Sequence, residues 1–250
     1  MTGGETALDS VQEAFGRGDH EAVLRLTESM LAERPGDDAA HEFRARSLLS
    51  LGRAEEAERH AADAVRLDPD EIRYRELLAQ TLAAAGAHRD AATEYRRLAR
   101  NDPRQPAWIV AEAAERLDAA QGREAVDAAR RAVRLDPRNA AAQLALAQGL
   151  AQVGDARGAL QAAASAVELL PGDPAAREAL ADARWLAGQE AAALSDFRDL
   201  AMELHGPARE RVIGKARALY RRRAGPFGRL LAAVPWAFSL ALRRGWARLR

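Results

Sequence analysis

An all-α fold built from repeated helix pairs is predicted by three features of this 250-residue sequence. Prolines recur every 34 residues, at positions 35, 69, 103, 137 and 171. Glycines recur at the same interval, at positions 18, 52, 86, 154 and 188, and the vacant place in their series holds Ala120. Between these marks the apolar residues follow helical spacing, and alanine, the strongest helix former, supplies much of the apolar content. Each 34-residue unit is therefore predicted to contain a helix, a glycine turn, a second helix and a proline turn.

The ends of the predicted helices carry turn and capping residues. The first helix of a unit, such as 41–52, ends at a glycine, which suits the left-handed conformation that follows a helix. The second helix, such as 53–69, stops before a proline, because proline disfavours helical geometry in the preceding residue. Asn139 and Asp173 are predicted N-caps, with Pro174 at the first helical position.

Small residues also recur within the units, which start at residues 4, 38, 72, 106, 140 and 174. The eighth position holds Ala45 and Ala79 in the second and third units, and the twentieth holds Ala57 and Ala91. The pattern resembles the tetratricopeptide repeat family, whose period is also 34 residues, over residues 4–205. The aromatic residues of that family are absent at the fourth position, which here holds Ala7, His41, Arg75, Ile109, Gln143 and Arg177.

The resemblance implies a right-handed α-solenoid of about six tetratricopeptide helix pairs, in which each pair is buried against its neighbours. We expect six repeats over residues 4–205, a capping helix over 206–224, and a C-terminal amphipathic helix within a basic tail at 225–250. In the capping segment the apolar residues Val212, Ala216, Leu219 and Tyr220 fall on one helical face.

Residues that carry out chemistry are sparse. The chain has no cysteine, so it has no disulfide, thiolate metal site or cysteine nucleophile. Its five histidines lack the short spacing of metal ligands, and no phosphate-binding glycine loop is present. The opening "MTGGETALDS" lacks the basic and apolar regions of a secretion signal. We expect no enzymatic activity, cofactor or metal; the alternative is an enzyme whose site the sequence does not reveal.

The resemblance also implies a concave groove, lined by the first helix of each pair, that binds an extended peptide or a partner helix. Chaperone-binding members of the family clamp a C-terminal carboxylate with Lys and Asn, and neither occurs at the groove positions here, so that ligand is not expected. A protein or peptide partner is expected instead, although the same side chains could simply pack between helices. The candidate groove residues are Phe43, Arg46, Leu77, Gln80, Val110, Leu144 and Gln148.

The C-terminal segment differs from the repeats in charge. Residues 211–250 contain eleven basic and no acidic residues, which leaves a net charge of −11 on residues 1–210. An uncharged stretch at 230–242 follows the helix breaker "AGPFG", and as a helix it would extend about 20 Å, less than the roughly 30 Å hydrocarbon core of a membrane. The residues expected to contact a membrane or a partner are Trp236, Phe238, Leu242, Arg243, Arg244, Trp246 and Arg248.

Tryptophan beside arginine at the edge of an apolar stretch is typical of a helix that lies in a membrane surface. We therefore expect a cytoplasmic protein, held by this tail at the inner face of an anionic membrane. In the alternative, the chain is a soluble subunit of a larger assembly and the tail docks on the acidic repeats or on a partner protein. Nucleic acid is a less favoured ligand, because binding phosphates would leave the apolar stretch exposed.

Overall fold

The computed structural model describes residues 3–223, which form thirteen α-helices and no β-strand. The odd-numbered helices up to α11 are the first helices of the pairs: α1 Gly3–Gly16, α3 Asp38–Ser50, α5 Ile72–Ala84, α7 Pro106–Asp118, α9 Ala140–Gln152 and α11 Pro174–Leu186. The second helices are α2 His20–Glu33, α4 Ala54–Leu67, α6 His88–Asn101, α8 Gly122–Leu135, α10 Ala156–Leu169 and α12 Glu190–Glu203. The last described helix is α13, Gly206–Arg223. The all-α fold of repeated helix pairs is confirmed.

The chain divides into two compact units, and the boundary falls between Ala128 and Ala129, inside α8. In the first unit the helices from α1 to α7 each pack against the next along the chain, and α3 also contacts both α1 and α5. In the second unit the helices from α9 to α13 pack in the same sequential way, and α9 also contacts α11. The first helices α1, α3 and α5 therefore lie side by side in the first unit, and α9 and α11 do so in the second.

The glycine turns have the predicted left-handed backbone. The five glycines of the 34-residue series have φ between 73° and 82°. Ala120, in the vacant place, has φ 57° and is the one non-glycine residue with positive φ in the described part of the chain. Because a Cβ atom disfavours this conformation by about 1–2 kcal/mol, the repeat geometry imposes strain at this turn.

Acidic and amide side chains cap the first turn of several helices, as the sequence predicts. Asn139 accepts a hydrogen bond from the Ala142 amide of α9 at 3.0 Å, and Asp173 accepts one from the Ala176 amide of α11 at 3.0 Å. Each such cap typically contributes about 1 kcal/mol to helix stability.

The core is thin and rich in alanine. The small residues at the eighth and twentieth positions, including Ala45, Ala57, Ala79 and Ala91, are fully buried. Side chains of this size allow neighbouring helices to approach closely, and larger ones would overpack the contact at a cost of about 1–3 kcal/mol. The alanines therefore determine the spacing of the helix pairs.

Polar side chains occupy the fourth position in four of the six units, where the family usually has an aromatic residue. In three repeats this side chain bonds to the carbonyl oxygen of the proline six residues earlier: His41 to Pro35 at 3.1 Å, Arg75 to Pro69 at 2.9 Å, and Gln143 to Pro137 at 3.1 Å. The side chain thereby satisfies a turn carbonyl that helix formation leaves without a partner. In these three repeats, a hydrogen bond between turn and helix thus takes the place of the missing aromatic residue.

The helix α13 packs against α12 and completes the apolar core of the second unit. The four residues predicted to share one face, Val212, Ala216, Leu219 and Tyr220, are all buried. They surround Phe197, which is fully buried and stacks edge-to-face on Trp185 with ring centroids 6.3 Å apart.

Candidate functional site

An open depression of about 380 Å³ lies on the first helices of the first unit. The lining residues come from α1, α3 and α5, and α3 contacts both of the other two helices. They combine apolar and charged side chains: Phe15, Arg46, Leu49, Ser50, Arg73, Glu76, Leu77 and Gln80. A mixed lining of this kind suits a peptide, which presents both apolar side chains and backbone polar groups.

A buried carboxylate organises the two arginines of this depression. Glu42 is 5% exposed, and its Oε1 accepts the Arg46 Nη2 group at 2.8 Å, while its Oε2 lies 3.5 Å from Arg73 Nε. Glu42 therefore holds the guanidinium of Arg46 in place through Nη2. The Nε–H of Arg46 is buried and has no hydrogen-bond partner in the described part of the chain, and such a donor costs about 1–3 kcal/mol.

The structure brings together part of the groove predicted from the sequence. Arg46, Leu77 and Gln80 line the depression, although Leu77 is only 3% exposed and mainly packs in the core. Phe43 lies at its edge, where its ring contacts Phe15 with centroids 5.5 Å apart.

The other predicted groove residues lie outside this depression. Val110 is half-buried on α7 of the first unit. Leu144 is half-buried and Gln148 is exposed, both on α9 of the second unit.

Five lining residues were not among the predicted groove residues: Phe15, Leu49, Ser50, Arg73 and Glu76. Four of them stand at groove-facing positions of the family pattern: Phe15 and Leu49 at the twelfth, Arg73 at the second and Glu76 at the fifth. Selecting every groove position of the first three units would have found these four, whereas Ser50 stands one residue beyond the last of those positions.

A second depression, of about 500 Å³, lies in the second unit. Its lining residues are Ala151, Asp182, Trp185, Leu186, Gly188, Glu190 and Arg222. The carboxylate of Asp182 is bound by Lys215 Nζ of α13 at 2.5 Å, and the same ammonium group lies 2.8 Å from Glu178. The helix α13 thus neutralises the acidic groups next to this depression.

Glu178 and Asp182 respond differently to that neutralisation. Burial opposes the ionisation of Glu178, but hydrogen bonds from Arg211 and Lys215 outweigh it and hold its pKa below the usual value. Burial has the larger effect at Asp182 and raises its pKa, although Lys215 acts in the opposite direction. The site is therefore an internal ion-pair cluster whose charges are largely satisfied.

Two histidine-containing clusters bring together side chains that the sequence spacing did not connect. One ligand atom each from His41, His60 and Asp63 lies within 4.8 Å of the others, and a second cluster consists of His88, Glu115 and Asp118. His41 and His60 stand on the two helices of one pair, 19 residues apart. The sequence argument considered only short spacing along one helix, so it missed a contact across the pair.

The predicted tail contacts cannot be placed in this architecture. Residues 225–250, with Trp236, Phe238, Leu242, Arg243, Arg244, Trp246 and Arg248, lie outside the described residues. Within residues 3–223, none of the helices combines the length and the apolar character that crossing a membrane requires.

Comparison with known proteins identifies the family. Tetratricopeptide repeat models match residues 14–81 and 110–174, which together make up more than half of the chain. The chain belongs to the tetratricopeptide repeat family. No curated protein matches it significantly. Family membership supports a general role in binding proteins.

Solved structures show the same fold at low sequence identity. A tetratricopeptide repeat protein from Parabacteroides merdae is 14% identical, with a TM-score of 0.71 over 96% of this chain and 97% of that one. MamA from Desulfovibrio magneticus is 20% identical, with a TM-score of 0.59 over 67% of this chain and 94% of that one. Yeast Tom70 is 18% identical, with a TM-score of 0.56, and the match covers 84% of this chain but 46% of Tom70.

Proposed function

We propose that this tetratricopeptide repeat protein is a non-enzymatic scaffold that binds a protein partner in the depression on α1, α3 and α5. The observation that carries the proposal is the open depression itself, where the buried Glu42 holds Arg46 and Arg73 beside the apolar surface of Phe15 and Leu49. The Arg46 side chain is 41% exposed, so a backbone carbonyl or polar side chain of the partner would accept a hydrogen bond from the exposed part of its guanidinium.

The lining also indicates the form of the partner segment. Phe15 and Leu49 offer an apolar surface, and Gln80 offers both a donor and an acceptor at its exposed end. An extended segment presents side chains and backbone groups alternately, so it can use both kinds of lining. We therefore favour an extended peptide with one apolar anchor over a large flat protein surface.

The test of this proposal compares two arginine substitutions in the full chain. Arg46→Met removes the guanidinium and keeps the aliphatic stem, whereas Arg66→Met changes an exposed arginine of α4. We expect affinity capture to recover a partner with the wild type and with Arg66→Met, and to lose it about tenfold with Arg46→Met. A Phe43→Ala, Leu77→Ala double variant should also lose the partner while its far-UV helical signal persists. Equal recovery with every variant would overturn the proposal.

We also propose that the basic tail, residues 225–250, holds the protein on the cytoplasmic face of an anionic membrane. The support is its composition: an apolar stretch with two tryptophans beside Arg243, Arg244 and Arg248. Each arginine near an anionic leaflet contributes about 1 kcal/mol, and salt screens this contribution.

Flotation with anionic vesicles tests the tail. The full chain should float at low salt, and a chain ending at residue 224 should not. A variant with Arg243, Arg244 and Arg248 changed to Gln should float less and keep its fold. If the full chain stays in the soluble fraction and the tail is instead needed to recover a partner complex, the tail is a protein-docking segment and the membrane proposal is wrong.

A further inference from the structure

Two histidines connect the helices α3 and α4 of the first unit. His41 Nδ1 lies 3.0 Å from His60 Nδ1, which is hydrogen-bonding distance. On its other side His41 Nε2 lies 3.1 Å from the Pro35 carbonyl oxygen. On the far side of the pair, Arg44 Nε donates to His60 Nε2 at 3.1 Å. The four groups form one continuous chain of hydrogen bonds.

The partners at the two ends determine where the ring protons are. A carbonyl oxygen only accepts, so His41 Nε2 must carry a hydrogen, and in the neutral ring its Nδ1 is then a lone pair. A guanidinium only donates, so His60 Nε2 must be a lone pair and its Nδ1 carries the hydrogen. The His60 Nδ1–H therefore donates to His41 Nδ1. Every donor in the chain meets an acceptor only when both imidazoles are neutral.

We infer that this pair is an acid-sensitive joint: protonation of either imidazole breaks the hydrogen-bond chain and loosens α3 from α4. A proton added to His41 Nδ1 would face the Nδ1–H of His60. A proton added to His60 Nε2 would face the Nε–H of Arg44. In both cases two donors meet at about 3 Å in a partly buried site, with no acceptor between them.

The surroundings of His60 oppose its protonation. The Arg44 guanidinium beside it is held in place because its Nη1 donates to the Leu24 carbonyl of α2 at 2.7 Å. Burial, followed by Arg44 and His41, lowers the pKa of His60 from 6.5 to about 4.

Other charged groups near the joint have smaller effects or other partners. Asp63 favours protonation of His60, and its carboxylate lies 3.9 Å from His41 Nδ1, while Arg59 opposes it. On α5, the other helix packed against α4, Arg75 pairs with Glu94 and Arg73 lies near Glu42.

The same side chains would need a different arrangement to bind a metal ion. A metal between the rings requires a lone pair on both Nδ1 atoms. His60 Nδ1 instead carries a hydrogen, because Arg44 occupies its Nε2 lone pair. A metal would have to displace that arginine or place its own charge next to it. The geometry therefore favours a proton-sensitive contact over a metal centre.

The direction of the pH response follows from the protonation of His60 in the unfolded and the folded chain. In the unfolded chain the imidazole takes up a proton near pH 6.5, and in the fold His60 resists it to about pH 4. The contribution of the joint is therefore complete above pH 6.5 and declines as the pH falls from 6.5 towards 4. The helices that should respond first are α3 and α4.

Nitrogen-15 NMR of the full chain tests the proton positions directly. Long-range proton–nitrogen spectra at pH 7.5 should show His60 as the Nδ1–H tautomer and His41 as the Nε2–H tautomer. Finding both rings in the same tautomer would overturn the inference. The two Nδ1 atoms would then both carry a hydrogen or both lack one, and they could not form a hydrogen bond with each other.

Hydrogen exchange tests the loosening. Between pH 7 and pH 5, after correction for the intrinsic effect of pH, we expect amides of α3 and α4 to exchange about tenfold faster in the wild type. The double variant His41→Arg, His60→Glu reproduces the Arg75–Glu94 pair of α5 and α6. It should abolish this response. His60→Gln, which does not titrate, should also abolish it and serves if the double variant fails to fold.

A matched control separates this joint from histidine titration in general. His20 is half-buried on α2, with Nδ1 3.4 Å from Ser47 Oγ, so His20→Gln removes a nearby imidazole outside the joint. This variant should keep the full acid response of α3 and α4. If His20→Gln removes the response, or His60→Gln keeps it, the joint is not the acid-sensitive element.

Discussion

In two neighbouring repeats of the first unit, different side chains join the two helices at equivalent positions. In the second repeat the fourth position of the first helix meets the second helix through His41 and His60, at 3.0 Å. In the third repeat the equivalent residues, 34 further along, are Arg75 and Glu94, also at 3.0 Å. Both His41 and Arg75 also bond to the carbonyl of the preceding proline. The backbone geometry is shared, and only the charge of the pair differs.

The comparison shows what each pairing requires. The arginine–glutamate pair buries two opposite charges, whose side chains are 17% and 10% exposed, so each charge depends on the other. The histidine pair at neutral pH buries no net charge, but it depends on the placement of every proton. The arginine–glutamate pair is therefore sensitive to the loss of either partner. The histidine pair is sensitive to the gain of a proton.

The largest effect should come from removing the buried carboxylate. Glu94→Ala leaves Arg75 and Arg97 without their common acceptor, and an uncompensated charge that is largely buried costs several times more than a lost neutral hydrogen bond. We expect the free energy of unfolding of the first unit to fall by about 2–3 kcal/mol. Urea unfolding monitored by circular dichroism measures it. As a control, Glu28→Ala changes an exposed carboxylate of α2 and should be nearly neutral.

Removing the matching residue of the histidine pair should cost less. His60→Ala deletes two hydrogen bonds but leaves no unpaired carboxylate, and we expect a loss of about 1 kcal/mol at pH 7.5. The same urea experiment measures it. A loss equal to that of Glu94→Ala would mean that the charge of the pair is not what separates the two repeats.

As the pH falls, the first unit should lose stability before the second unit does. The lowered pKa of His60 predicts that the first unit loses about 1 kcal/mol between pH 6.5 and 4, a value reduced because the ring is half-exposed. The pKa of Glu178 in the second unit lies below its usual 4.5, so its contribution is complete above that value and declines only at lower pH.

Asp182 partly offsets the acid response of the second unit, since burial raises its pKa and its protonation favours the fold. Limited proteolysis at pH 5.0 and pH 3.5 should therefore cut the first unit before the second. Cleavage in the opposite order would contradict the assignment of His60 as the earlier titrating group.

The smallest effect concerns a turn rather than a pair. Ala120→Gly should stabilise the protein by about 0.5–1 kcal/mol, because glycine relieves the positive φ and its greater freedom in the unfolded chain offsets only part of that gain. Ala119→Gly is the matched control: this residue has φ −75°, so glycine there should destabilise by a similar amount. Thermal unfolding of both variants measures the difference, and a stabilising Ala119→Gly would exclude backbone strain as the cause.

Most of the helical architecture could be predicted from the sequence. The 34-residue period locates the turns, and glycine and proline chemistry determines which end of each helix they occupy. The positive φ of Ala120 could also have been inferred, because it stands in the glycine series. Pairing of the fourth and twenty-third positions was not anticipated, since these positions are 19 residues apart and meet only once two helices pack together.

The candidate site was predicted in part for a similar reason. Family positions identified Arg46, Leu77 and Gln80, and the same pattern contains Phe15 and Arg73. Only the packing of three helices side by side shows that these residues line one depression. The orphan Nε–H of Arg46 could not be predicted at all, because it depends on which atoms of the guanidinium Glu42 occupies.

The paired positions also have a consequence for how this chain folds. Repeats of equal length can pair out of register, so that one helix docks one repeat away from its proper partner. Such a slip would place Arg75 against His60, since Arg44 lies on α3 with His41 and would move away with it. It would place His41 against Glu94 and leave Arg75 without its acid. The difference in charge between the two repeats therefore favours the pairing of each first helix with the second helix of its own repeat.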